Sequence, residues 1–124
     1  MMTRDLMLKD VVTLNGNVSA KEAVELLFKR HIGSIIIVDA EQRCVGIFTE
    51  RDAIRIIAQD VPLDAPLEKV MTKNPYTVNE DSTFEEAKNI IVTHKIRHLP
   101  VISTNGKLVG LISVRKILDE LSGL

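Results

Sequence analysis

Displaced by 64 residues, the chain aligns with itself without a gap. Met7 falls on Met71, Thr13 on Thr77, Glu22-Ala23 on Glu86-Ala87, Ile32 on Ile96 and Val45-Gly46 on Val109-Gly110. About ten identities and many apolar-for-apolar exchanges mark an internal duplication, which constrains the fold before any local pattern does. A half of roughly 60 residues buries too little surface to be comfortably stable alone, so the two halves are expected to share one core. The division by sequence is residues 1–62 and 63–124.

The clearest echo is Gly46-Ile47-Phe48-Thr49-Glu50-Arg51-Asp52, repeated as Gly110-Leu111-Ile112-Ser113-Val114-Arg115-Lys116. One pair in it is chemically opposite: Asp52 in the first copy, Lys116 in the second.

Each repeat reads strand, helix, strand, strand, helix. Asp10 to Leu14 is short and β-branched and runs into the turn residues Asn15-Gly16-Asn17. Ser19 with Glu22, and Thr83 with Glu86, have capping-box spacing ahead of helical faces formed by Ala20, Ala23 and Leu27, and by Phe84, Ala87 and Ile91. The first helix is expected to run to about Arg30, with Gly33 ending it at positive φ. Ile35 to Val38 is an unbroken apolar run, predicting a strand buried on both faces; Leu99 to Ile102 is its repeat. Cys44 to Phe48 follows as a second strand, and Thr49 to about Gln59 as a second helix; Asn105-Gly106 is a hairpin signal. The expected class is α+β: two β-α-β-β-α repeats related by pseudo-two-fold symmetry, with small sheets packed by helices. No GxGxxG follows a strand and no Walker-type glycine loop occurs, so the two commonest phosphate cradles are absent.

Composition narrows the function classes. With 45% apolar and 27% charged residues the chain is expected to fold throughout. A net charge of −1 with interspersed signs argues against a nucleic-acid or anionic-membrane surface. There is no signal-like start and no run of eighteen apolar residues, so a cytoplasmic location and no membrane contact are expected. Cys44 repeats as Leu108, which favours a small hydrophobe over a redox group. His31, His94 and His98 have no metal-ligand spacing, and neither a serine elbow nor a carboxylate pair stands out, so no metal, cofactor or enzymatic activity is expected.

Together with the duplication, three features resemble a tandem pair of cystathionine-β-synthase (CBS) domains, a Bateman module, over about Leu6 to Leu121. They are the glycine, strand and Thr-x-x-Asp phrase at Gly46 to Asp52, the segment Ile96-Arg97-His98-Leu99-Pro100-Val101, and the Val70-Met71 pair opening the second repeat. The resemblance implies a non-catalytic regulatory module, often a homodimer, binding an adenosine-containing ligand (AMP, ADP or ATP) in the cleft between repeats and read by an unidentified effector protein. It implies ligand contacts at Ile47, Thr49, Arg51, Asp52, Pro75, Tyr76, Thr77, Arg97 and His98. A second position, built on Val12, Thr13, Ser113 and Lys116, is expected to be weak, empty or occupied by an anion. Two departures stand out: Ile36 where the second repeat has Pro100, and Lys116 where the first has Asp52. The alternatives are a nucleic-acid-binding or scaffold module with a vestigial cleft, and a detached regulatory subunit of a transporter, kinase or dehydrogenase.

The residue chemistry suits that ligand. A helix N-terminus attracts phosphate, Thr49 adds a hydroxyl, and Asp52, one turn on, offers two oxygens to a ribose diol. Thr-x-x-Asp is equally the pattern of a helix cap; the residues alone favour capping, and the resemblance favours ribose. An ammonium donates and cannot accept, so Lys116 cannot take the ribose protons. Tyr76 is a candidate to stack on the adenine or to pack at the rim. Ile54, Ile57, Leu118 and Leu121 give the second helices more apolar surface than so small a chain covers, the basis for expecting a two-fold dimer.

Overall fold

The structure is a computed structural model describing residues 1–122, with side chains as far as Asp119. The first half contains α1 (Thr3–Leu6), β1 (Thr13–Leu14), α2 (Ala20–Arg30), β2 (Ser34–Val38), β3 (Cys44–Thr49) and α3 (Glu50–Ala58). The second contains α4 (Leu67–Val70), β4 (Thr72–Lys73), β5 (Val78–Asn79), α5 (Phe84–His94), β6 (His98–Ile102), β7 (Leu108–Ser113) and α6 (Val114–Ser122). This is the expected α+β class, with the strand-helix-strand-strand-helix order repeated.

Repeat and compact unit do not coincide. A central unit, Val12–Pro75, is continuous in sequence; a split unit joins Met1–Val11 to the chain from Tyr76 onward. In the central unit the sheet order is β1-β2-β3-β4. β1 runs parallel to β2 (Thr13 opposite Ile36), the β2–β3 hairpin is antiparallel (Ile36 opposite Ile47), and β4 closes the far edge (Thr72 opposite Ile47). The split unit has β5-β6-β7, and Leu8 bridges Leu111 where the central unit has β4. Each hairpin is therefore edged by the opening segment of the other sequence repeat.

Close packing fixes that segment. A Cβ on Gly46 would overlap the Met71 sulfur, and one on Gly110 would overlap the Met7 sulfur and the Leu8 carbonyl. The repeated Val-Gly and the repeated Met are two sides of one contact, with glycine providing the close approach. α1 is held against the start of α5 by Thr3 N–H to Ser82 O (2.8 Å) and Phe84 N–H to Met1 O (2.9 Å), and by an Arg4–Asp81 ion pair.

Among the described residues the core is two clusters, not the single one expected. Ala20, Ala23, Leu27, Ile35, Ile37, Phe48, Ile56, Leu67 and Val70 fill the central unit. Val78, Ala87, Leu99, Val101 and Ile112 fill the split unit, with Leu6 and Met7 packed against them. The exchanged segments explain the difference, because each adds apolar side chains that a repeat cut at the sequence join would lack. β2 is buried at every position, as its unbroken apolar run predicts.

Two local expectations need correction. Gly33 does not take positive φ; α2 ends two residues earlier with His31 left-handed (φ 53°), and α5 ends likewise at Lys95 (φ 54°). Ile32 N–H then donates back to Leu27 O (3.3 Å) and its side chain packs on the core, which compensates a non-glycine residue at that angle. The first strand begins at Thr13, not Asp10, because only Thr13 and Leu14 have ladder partners on β2. The short elements α1, α4 and β4 carry too few residues to show a period, and the sequence reading omits them. By contrast Ser19 and Thr83 cap α2 and α5, each hydroxyl accepting the N–H three residues on at 3.2 Å, which is the hydroxyl half of the expected box.

Candidate functional site

The site is built at the corner where β3 turns into α3. Thr49 ends the strand with extended backbone (φ −113°, ψ 171°) and so becomes the helix N-cap. Its hydroxyl accepts the Asp52 N–H (3.3 Å), and Asp52 Oδ2 accepts both the Thr49 N–H (2.9 Å) and the Thr49 hydroxyl (3.1 Å). The box is closed in both directions. It also turns the Asp52 carboxylate back into the protein, where the residue is only 7% exposed.

The other carboxylate oxygen has partners the sequence reading missed. Asp52 Oδ1 accepts from the Thr72 hydroxyl on β4 (3.1 Å) and from Arg55 Nη2 (3.3 Å), and the same Nη2 donates to the Val70 carbonyl. Arg55 lies one turn beyond Asp52 on the same helical face, a pairing that its spacing makes legible. Thr72 comes from twenty residues away through the β3–β4 pairing, and no local pattern announces it.

At the N-terminus of α3 the Thr49 N–H is taken by Asp52, the Glu50 N–H by Gly33 O (3.2 Å) and the Asp52 N–H by Thr49.

The structure places the remaining candidates plainly. Ile47 is buried opposite Thr72, Arg51 is exposed on α3, and Pro75 follows β4; Val12 and Thr13 lie at β1, where Val12 O accepts the Ile36 N–H (3.1 Å). All of these belong to the central unit. Tyr76, Thr77, Arg97, His98, Ser113 and Lys116 belong to the split unit. There Arg97 is exposed, its carbonyl accepting the Val114 N–H (3.0 Å), and His98 pairs in register with Ser113. Tyr76 stacks on His94, ring centroids 3.7 Å apart and 13° from parallel, and Thr77 is half-buried beside it in the chain. His94, at the end of α5, thus has a packing role.

At the equivalent corner of the split unit, Ser113 accepts the Lys116 N–H (3.4 Å) and Lys116 is exposed. That corner keeps the hydroxyl cap and has no carboxylate at the box position. Elsewhere, burial raises the Cys44 thiol from its ordinary 9.0 to about 11, partly offset by a backbone hydrogen bond at Gly46, which fits the inert hydrophobe expected there. Among the described residues there is no grouping of side chains suited to a metal ion, and no helix is long and apolar enough to cross a membrane.

These features meet in a known family. The CBS domain model matches residues 4–59 and again 67–123, and the chain belongs to the CBS domain family as a tandem pair. An uncharacterised 17.7 kDa protein of Acidianus ambivalens is 38% identical over 111 residues, 90% of this chain and 67% of that one. Other curated relatives are longer, the chain spanning between about three fifths and one fifth of their length. Among solved structures, a CBS domain protein from Pyrobaculum aerophilum complexed with AMP superposes with TM-score 0.86 at 30% identity, covering 100% of both chains. The CBS domain pair of protein MJ0100, in complex with 5′-methylthioadenosine and S-adenosyl-L-methionine, gives 0.88 at 28% identity, covering 99% of this chain and 97% of that one.

Proposed function

We propose that the chain is a non-catalytic regulatory module binding an adenosine-containing ligand (AMP, ADP or ATP), with Asp52 as the ribose acceptor and Thr49 beside it. The observation that carries this reading is the Asp52 carboxylate, held by Thr49, Thr72 and Arg55 at a helix N-terminus. The AMP complex of one relative supplies the ligand class. Ligand binding shifts the population of a conformation that an effector protein reads in the cytoplasm. Only one of the two corners has a carboxylate at the box position, so one tight nucleotide per chain is expected, and the Lys116 corner takes at most an anion. Calorimetric titration with AMP, ADP and ATP tests this. A stoichiometry near one supports it, and two equivalent sites or no binding refutes it. In a thermal-shift screen, a ligand at 100 times its Kd adds about 2.7 kcal/mol. Replacing Tyr76, Arg97 or His98 with alanine shows whether each belongs to the ligand's contact set: a residue whose loss leaves Kd unchanged does not.

A symmetric homodimer is part of the proposal. Ile54 (69% exposed) and Ile57 on α3 and Leu118 (58%) on α6 present apolar side chains to solvent, while Leu121 lies outside the described side chains. Ile54 and Leu118 are repeat partners, so the same patch recurs on both second helices, which suits an isologous contact. Sedimentation is expected to show a dimer at tens of micromolar. The Ile54→Lys/Leu118→Lys variant should be monomeric; a monomeric parent protein rejects the dimer.

A further inference from the structure

A carboxylate has about four lone-pair positions. At Asp52 four protein donors occupy them: the Thr49 N–H and hydroxyl on Oδ2, and the Thr72 hydroxyl and Arg55 Nη2 on Oδ1. A ribose diol brings two more protons and finds no vacant acceptor, so it must displace two donors already there. Oδ2 is the costlier side to vacate, because its bonds close the cap of α3. Oδ1 is the cheaper side. Its Arg55 bond is long at 3.3 Å, and Nη2 keeps a separate acceptor in the Val70 carbonyl, while Thr72 lies on an exposed edge strand where its hydroxyl can turn to water.

The duplication supplies a second, independent observation. At the positions 64 residues away, Thr72 is Leu8, Asp52 is Lys116 and Arg55 is Asp119. Where the carboxylate is absent, both of its Oδ1 donors are absent too. The apolar contacts around them, Gly46 on Met71 and Gly110 on Met7, remain in both copies. Thr72 and Arg55 thus accompany the carboxylate and not the packing of the edge segment.

We propose that Thr72 is an affinity- and specificity-determining residue of the Asp52 site: its hydroxyl occupies Oδ1 until a ribose hydroxyl replaces it, so that binding a diol is an exchange. The inference rests on the ribose reading of Asp52. It assigns to β4, a two-residue strand, the setting of the ligand concentration at which the module responds, because the Thr72 hydroxyl held by Asp52 in the free protein competes with every diol that arrives.

The experiment measures Kd by calorimetry for AMP and for 2′,3′-dideoxyadenosine 5′-monophosphate, which lacks the diol. The proteins are the parent chain, Thr72→Val and Thr72→Ser, with folding checked by circular dichroism. Removing one competing hydrogen bond is expected to tighten AMP binding about two- to tenfold in Thr72→Val. The dideoxy nucleotide should be unaffected, and Thr72→Ser should match the parent. If AMP binding is unchanged or weakened in Thr72→Val, or both nucleotides shift together, the exchange is overturned while the ribose reading stands. If the parent chain does not distinguish AMP from the dideoxy nucleotide, the ribose reading fails, and the exchange fails with it.

Discussion

The corners that open α3 and α6 descend from one sequence and place opposite charges at matching positions. α3 has Asp52 with Arg55 one turn on; α6 has Lys116 with Asp119 at the same spacing. Both keep a capping hydroxyl, and both sit on a hairpin whose glycine is covered by a methionine. Both copies keep what the fold needs, an apolar contact and a cap, and the carboxylate at the box position stands in the first alone. Residues common to both corners are therefore best read as structural, and residues confined to the Asp52 corner as chemical.

The largest expected effect breaks the symmetry outright. Asp52→Ala removes the acceptor of four part-buried donor bonds and should weaken AMP binding by about 1.5–3 kcal/mol, roughly ten- to a hundredfold. It should also lower unfolding free energy by about 1–3 kcal/mol, since donors are left unpaired, whereas Lys116→Ala at an exposed position should stay within about 0.5 kcal/mol. Chemical denaturation with calorimetry checks both, and equal losses at the two positions would erase the distinction.

The glycines test the shared half of the comparison. Gly46→Ala and Gly110→Ala should each destabilise by about 1–3 kcal/mol through overpacking. Gly110→Ala should be the worse, because its Cβ meets the Leu8 backbone carbonyl as well as a side chain. A second substitution, Met71→Ala, should recover stability in Gly46→Ala, and Met7→Ala should recover less in Gly110→Ala. Matched recovery in the two units would show that the Leu8 backbone yields.

The smallest effect separates Cys44 from its repeat partner Leu108. The folded protein holds the thiol at about 11 against an ordinary 9.0, because burial disfavours the thiolate. Its contribution is fully present below pH 9 and is lost as pH rises through about 11. Denaturation midpoints across that window should fall more steeply for the parent chain than for Cys44→Leu. Parallel slopes would mean that the thiolate finds solvent.

The long elements were legible because their signals are local: β2 from Ile35 to Val38, and α2 and α5 from Ser19 and Thr83 with the faces that follow. Asp52 was legible as a candidate because duplication placed Lys116 opposite it. What sequence did not show was pairing at a distance. β4 has two residues and no period, so the Thr72 bond to Asp52 emerges only once Met71 is seated on Gly46. The left-handed turns at His31 and Lys95 escaped for another reason: neither is glycine, and the return bonds from Ile32 and Ile96 to the preceding helix offset the backbone cost.

Because the central unit is an uninterrupted stretch while the split unit straddles it, the two have different histories on the way to the folded state. Emerging from the ribosome N-terminus first, the chain can complete the central sheet as soon as Pro75 is free. Met7 must wait for Gly110 to be synthesised and then close a loop that in sequence contains Val12–Pro75, which raises the contact order of the split unit and slows it. Pulse-labelled hydrogen exchange during refolding should accordingly protect the amides of Ile35–Val38 before those of Leu99–Ile102. The Asp52 corner, housed in the early unit, would then be assembled while the rest of the chain is still being made.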